Sequence, residues 1–253
     1  MLFLRKFILF FLVVVIEQTY AQDTSYNELT TIVVSANKFK EKRIVTPIAI
    51  TVLSPKTIEE TKAQRIDYLL NKVSGVYMPT IGNEQHMMSI RQPISLKGLY
   101  LYLEDGMPIR TSGLFSSNAL IEINTSNIQS IEIIKGPASA LYGAEAIGGV
   151  VNVISSSIAE KPTAFISTQF NTTGYKKIEG AWTGPSKTGG WLINMGWTDQ
   201  KNGITEYSDF YKKTLSLKRS FGADKKLKGY QNIQYINYFT QMTGSLDSIK
   251  FFQ

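Results

Sequence analysis

Beyond Pro162 the apolar and polar residues alternate with a period of two. Ala164, Ile166 and Phe170 fall opposite Ser167, Gln169 and Asn171, and Trp191, Ile193, Met195 and Trp197 alternate with Leu192, Asn194, Gly196 and Thr198. Tyr211, Leu215, Leu217 and Phe221 likewise oppose Lys212, Thr214, Ser216, Lys218 and Ser220. Successive side chains of a strand point to opposite faces, so this spacing predicts antiparallel strands of about ten residues. Turns are expected at Thr173-Gly174, Gly184 to Gly190, Asn202-Gly203 and Gly222 to Lys225. One apolar, aromatic face and one polar face fit both a soluble β-sandwich and a transmembrane β-barrel.

Upstream the pattern is mixed. Ile48 to Leu53 is a strand candidate, Ser54 has the chemistry of an N-cap, and Pro55 suits a first helical position. Ile58, Ile66, Leu69, Leu70 and Val73 recur at helical spacing and Gly75 is a stop, which predicts a helix packing one face on a sheet. Strand candidates follow at Val76–Thr80, Met87–Arg91 and Leu99–Glu104, the last ending in the hairpin signal Asp105-Gly106 and Pro108. Gly113 to Asn127 reads as loop and short helix. Ile131 to Ser155 then holds two β-type runs, Ile131–Ile134 and Gly149–Ile154, around glycines at 136, 143, 148 and 149. So many glycines between short strands imply a densely packed turn.

The N-terminus sets the compartment. Arg5 and Lys6 precede an apolar run from Phe7 to Ile16 and the small-residue exit at Ala21, the signature of a secretory signal peptide over residues 1–21. A run of about ten apolar residues is too short for a membrane-spanning helix, which needs roughly twenty. An exported chain tips the period-two region toward a barrel. The formal charge of +7 comes from 27 Lys+Arg against 20 Asp+Glu, and it is scattered over lysines such as Lys176, Lys177, Lys212 and Lys213 that read as solvated. No clustered basic face or reading module supports nucleic-acid binding. With no cysteine and one histidine, thiol catalysis and the common zinc arrangements are excluded, no catalytic residue stands out, and no cofactor or resident metal is expected.

Several motifs in fixed order carry a resemblance. Thr31, Ile32, Val33, Val34, Ser35 and Ala36 form an isolated β-branched segment that is either a first strand or a segment able to add to a partner's sheet edge. Leu103-Glu104-Asp105-Gly106-Met107-Pro108 and the run from Ile131 through Lys135, Gly136, Pro137, Tyr142, Gly143, Gly148 and Gly149 to Ile154 follow. In this order the chain resembles the TonB-dependent outer-membrane receptors. The resemblance implies an α+β plug domain followed by the first antiparallel strands of an outer-membrane β-barrel. The domains expected are a periplasmic segment with the TonB box at 22–45, the plug at 46–160 and a partial barrel at 161–253. About ninety residues follow Pro162, enough for five or six strands where such receptors have about 22. The barrel is therefore expected to be incomplete, the chain being an N-terminal portion of a receptor.

By resemblance, Thr31 to Ala36 is the TonB box, engaged by the energy-transducing TonB protein, and Arg91 and Glu132 are charges that lock the plug. Ile90-Arg91-Gln92-Pro93 departs from the usual Ile-Arg-Gly, so its turn is built differently. Ligand contacts are expected in the loops at Thr80–Met88 and Arg110–Asn118, with His86, Arg110 and Phe115 as candidates. The implied activity is non-enzymatic uptake across the outer membrane of a scarce small molecule, a ferric siderophore at first choice, with outer-membrane lipid as the other partner. The alternative is a truncated plug that binds without transporting.

Overall fold

The computed structural model describes residues 32–33, 41–42, 48–95, 98–109, 116–201, 203, 206–222 and 229–241. They belong to one compact unit within Ile32–Gln253, and the expected signal peptide lies outside them. Two five-stranded sheets organise the described residues. The first is mixed. Its strands β1 (Ile50–Leu53), β2 (Tyr100–Glu104), β3 (Met107–Pro108), β4 (Ile128–Ile134) and β5 (Gly149–Ser155) lie in the order β1-β4-β5-β2-β3. β4 is antiparallel to both β1 and β5, whereas β5 runs parallel to β2.

Both faces of this sheet are covered, which is why its strands read as nearly continuous apolar runs. Tyr100, Tyr102, Ile131, Ile133, Val151 and Val153 pack one face against Ile66, Leu69, Leu70, Val73, Met78, Met88 and Ile90. Ile50, Leu101, Leu103, Ile134 and Val150 pack the other against Ala138, Ala146 and Tyr142. The single helix expected after Ser54 is in fact two, α1 (Pro55–Thr61) and α2 (Asp67–Leu70). Ser54 does cap α1, its hydroxyl accepting from the Thr57 amide at 3.2 Å. Lys62 then adopts the left-handed conformation at φ 46° and ends the helix. The apolar positions 58 and 66 thus share a period without sharing a helix.

The glycine-rich stretch between β4 and β5 contains the short helix α3 (Ser139–Tyr142). Its last two glycines are demanded by close approach. A Cβ on Gly148 would lie 2.6 Å from the Tyr100 ring, and one on Gly149 would lie 2.5 Å from the Ile134 carbonyl oxygen.

The second sheet is an antiparallel meander of β6 (Thr163–Phe170), β7 (Tyr175–Ser186), β8 (Gly189–Gln200), β9 (Phe210–Phe221) and β10 (Gly229–Thr240). The turn expected from Gly184 to Gly190 is shorter than the glycines suggest. β7 runs through Gly184 and Pro185 to Ser186, and Gly190 pairs with Pro185 inside the ladder, so only Lys187 and Thr188 are left for the turn. The alternation holds along β7, β8 and β9, while the edge strands β6 and β10 are exposed on both faces over much of their length, and burial is inverted relative to a soluble sandwich. Ile166 is 77% exposed and Met195 59%, while Lys177, Asn194 and Lys212 are at most 4% exposed. The polar face lies against the first sheet and the helices around it. Among the described residues β6 and β10 are the two edges, and the sheet does not close on itself.

Gly149→Ala should force β5 away from β4 and cost about 1–3 kcal/mol, the usual scale of overpacking in a filled core. Urea denaturation of the chain in detergent micelles, followed by tryptophan fluorescence, measures it.

Candidate functional site

The residues with the most organised chemistry lie where the polar face of the meander meets the mixed-sheet unit. Among the described residues they form three clusters, and each joins a turn or helix end on one side to strand side chains on the other.

The first begins at a hairpin in which Thr80–Gly82 pairs with Gln85–His86. Asn83 and Glu84 form its two-residue turn with φ of 41° and 67°, the left-handed pair that a type I′ turn requires. Asn is tolerated there and Gly preferred, so Glu84 is out of keeping with its backbone. Its carboxylate accepts from the ammonium of Lys212 on β9, and both side chains are buried. The Asn83 amide donates to the Ser208 carbonyl at 2.8 Å.

The second cluster lies at mid-strand. Lys177 and Glu179, two apart on β7 and so on one face, form an ion pair of 2.9 Å. Thr125 sits between them, its hydroxyl 2.7 Å from each. Beside it, Asn194 on β8 donates to the Asn127 side chain at 2.8 Å. Thr125 and Asn127 belong to a short 3-10 helix, Thr125–Asn127, that leads directly into β4.

The third cluster closes the junction between the sheets. Asp105 and Gly106 take φ of 50° and 81° in the tight turn from β2 to β3. The Asp105 carboxylate accepts from the Ser155 amide at 2.9 Å, from the Ser155 hydroxyl at 2.6 Å and from Lys218 at 3.0 Å. Lys218 also donates to the Ser155 hydroxyl at 2.7 Å and lies 4.9 Å from the centre of the Tyr230 ring. Next to it Glu104 accepts from Gln234 at 2.7 Å. Burial pushes the Glu104 carboxyl above its ordinary value, the Gln234 hydrogen bond opposes that, and the neighbouring Asp105 adds to the rise.

These clusters pair opposite charges, and at Asp105 both carboxylate oxygens accept hydrogen bonds, an arrangement that holds two surfaces together. Among the described residues no group of His, Asp and Glu is set to hold a metal ion.

The residues singled out from the sequence are distributed differently. Ile32 and Val33 form a two-residue strand antiparallel to Glu41–Lys42, while Thr31, Val34, Ser35, Ala36, Arg110 and Phe115 lie outside the described residues. Glu132 is buried on β4. Arg91 is exposed at φ 55°, its amide donating to the Gly75 carbonyl at 2.9 Å, so the turn before Pro93 is left-handed at the arginine itself. Lys135 is half-buried and donates to the Ser74 carbonyl at 2.7 Å. Gly136 and Tyr142 are half-buried, Pro137 and Gly143 exposed, and Gly148 and Gly149 buried.

Two expectations are corrected. His86 is not on a ligand-facing surface: it is fully buried, edge-on to Tyr102 with ring centroids 6.3 Å apart, and its Nδ1 is 3.0 Å from the Glu84 carbonyl oxygen. Lys177 and Lys212 are not solvated, because each lies on the covered face and has a carboxylate partner. Sequence reasoning missed Glu84, Ser155, Lys177, Glu179, Lys212 and Lys218 as a set. The available signal was that Lys212 and Lys218 share one strand face with Thr214 and Ser216.

Comparison with known proteins agrees with this architecture. Residues 42–150 match the family described as TonB-dependent Receptor Plug Domain. The chain is 31% identical over 186 residues to the vitamin B12 transporter BtuB of Vibrio vulnificus (strain CMCP6), a match covering 73% of this chain and 30% of that protein. Among solved structures, the ferripyoverdine receptor of the outer membrane of Pseudomonas aeruginosa bound to ferripyoverdine superposes with a TM-score of 0.72 at 14% identity, covering 82% of this chain and 27% of that one. The ferric citrate transporter FecA in the unliganded form gives a TM-score of 0.65 at 20% identity over 80% of this chain and 33% of that one. At such identities the likeness is one of fold. The chain spans about a third or less of the length of these relatives.

Lys177→Met should leave Glu179 buried without its cation and cost about 3–5 kcal/mol. Lys213→Met, on the exposed face of β9, should stay within about 0.5 kcal/mol of the parent. Paired urea titrations in micelles test the contrast.

Proposed function

Starting from a chain that belongs to the TonB-dependent receptor family and carries its plug domain at residues 42–150, we propose that it is the N-terminal part of an outer-membrane transporter. The mixed-sheet unit is the plug, and the meander is the beginning of the barrel wall. The observation that carries this reading is the inverted polarity of the meander. Its covered face is polar and ion-paired, and its outward face is apolar.

The outward residues are also zoned. Trp197, Tyr211 and Phe239 lie toward one end, Trp182, Trp191 and Phe221 toward the other, and Met195, Leu215 and Ile233 between them. From Trp191 to Trp197 is about 20 Å at roughly 3.4 Å per residue, comparable with the ~25 Å apolar band between the aromatic girdles of outer-membrane barrels. Tyr211 stacks on Phe239 with ring centroids 5.8 Å apart. Arg219 lies 5.0 Å from the centre of the Trp191 ring, where its stem can cover apolar surface while the guanidinium reaches the headgroups.

In this reading Thr31 to Ala36 is the TonB box. Strand addition suits it, since backbone hydrogen bonds hold an extended segment along a line of pull without a pocket for each side chain. The ligand we favour is a ferric siderophore, supported at the level of fold by the ferripyoverdine receptor and the ferric citrate transporter. The relative at 31% identity is a vitamin B12 transporter, which favours a corrinoid as the second reading.

Separation of inner and outer membranes should place the tagged chain in the outer-membrane fraction, and recovery in the soluble periplasm would leave a non-transporting plug remnant instead. Met195→Arg, in the middle of the outward band, should lower the stability of the inserted chain by about 2–4 kcal/mol. In a full-length version, Val33→Pro should abolish uptake while leaving ligand affinity unchanged. Equilibrium titration of that protein with ferric siderophores and with cobalamin decides between the two ligands.

A further inference from the structure

The three plug–wall clusters differ in how freely they can move. The Asp105–Ser155–Lys218 cluster is built on Ser155, the last residue of β5, an inner strand of the plug sheet. The Thr125–Lys177–Glu179 cluster is one short helix away from β4, a central strand of the plug sheet. The hairpin carrying Glu84 is different. It stands outside the five-stranded sheet, has its own two-stranded ladder with an irregular register, and reaches a lysine 128 residues further along the chain.

Its base is fixed. His86 is buried against Tyr102, its backbone amide donates to the Asn118 side chain at 2.7 Å, and Met87 donates to the Pro79 carbonyl at 3.1 Å. Its tip is held by other means. Both turn residues sit in the left-handed region, which a glutamate adopts only against a steric cost. The carboxylate of Glu84 is secured by Lys212, and the Asn83 amide by the carbonyls just before β9. Arg65, Gln64 and Tyr68 of the plug and Tyr175 and Phe210 of the wall border a cleft of about 280 Å³ beside the tip. The tip therefore has space next to it.

We propose that the Asn83–Glu84 turn is a charge-held latch. The Glu84–Lys212 pair keeps the tip in a conformation its backbone disfavours, and separating the pair lets the tip swing from the wall about the fixed base at His86. The rest of the plug stays seated on its other two clusters. This makes the hairpin the plug element that detaches independently, and Lys212 the wall residue that governs it. The inference uses the contact between the two sheets and does not depend on which ligand the protein takes.

The chain has no cysteine, so a nitroxide attached through Ile81→Cys, at an exposed position beside the turn, is a unique reporter. Its mobility would be read by continuous-wave electron paramagnetic resonance on the full chain in micelles. Glu84→Gln, nearly isosteric, should shorten the label's rotational correlation time at least threefold, and Lys212→Met should do the same. The two together should go no further than either alone, and the exchange Glu84→Lys with Lys212→Glu should restore the immobilised spectrum. A label at Ile147→Cys, exposed in the segment before β5, should be unaffected. Asn194→Ala, which cuts another plug–wall hydrogen bond, should leave the Ile81 label unchanged. An unaltered spectrum in Glu84→Gln would overturn the latch, as would equal loosening at Ile147 or additive effects of the two substitutions. If Lys212→Met fails to fold, Glu84→Gln and the charge exchange still decide the matter.

Discussion

A strand face bearing Lys177, Glu179, Asn194, Lys212 and Thr214 cannot be buried unless every charge on it finds a partner, and the rest of the structure depends on that constraint. Burying an unpaired ammonium or carboxylate costs several kcal/mol. Lys177 and Glu179 neutralise each other on β7, and the remaining demands of the meander fall on the mixed-sheet unit, at fixed positions along the strands. Thr125, Asn127, Glu84 and Asp105 meet them, and each sits at a turn or a helix end, where the backbone can be shaped to deliver one side chain. The apolar sheet behind them supplies most of the burial. The polar contacts in front of it fix the register of the two sheets.

Both tight turns in these contacts place an acidic residue in the left-handed region, at Glu84 and at Asp105. Asp before Gly is a favourable pairing for such a turn, and Asp105 follows it. Asn before Glu is not, and Glu84 occupies the place where glycine would cost less. The sequence thus accepts a local backbone cost where a charge is needed, which is how conflicts between local preference and tertiary contact usually arise.

Much of the fold was legible because its signals are local. The period of two from Ala164 to Phe221, the cap at Ser54 and the turn at Asp105-Gly106 each depend on a few neighbouring residues. The glycines at 148 and 149 could be read as marking close approach, although the partners, the Tyr100 ring and the Ile134 carbonyl, could not. What escaped the sequence was long-range. Nothing near Lys62 announces a left-handed residue that splits the helix. Lysines 177 and 212 have the composition of solvated positions; Lys212 finds its carboxylate 128 residues away, and Lys177, although paired with Glu179 two residues on, is covered by Thr125, 52 residues away. The contrast between His86 inside and Arg91 outside is of the same kind, because burial there follows from what packs over the segment Met78 to Ile90.

The parallel pairing of β5 with β2 has a consequence for the order of assembly. β5 lies between β4 and β2, in the middle of its sheet, yet it is the last of the five strands in the chain. As synthesis proceeds from the N-terminus, β1 and β4 can pair with each other, but β2 and β3 have no link to them until Ser155 has emerged. The mixed sheet therefore completes itself only just before the first strand of the meander, beginning at Thr163, is made. Until then the exposed edges of β4 and β2 are open to wrong partners, a hazard intrinsic to non-local strand pairing. The closing of the mixed sheet is thus timed by the strand that leads directly into the meander.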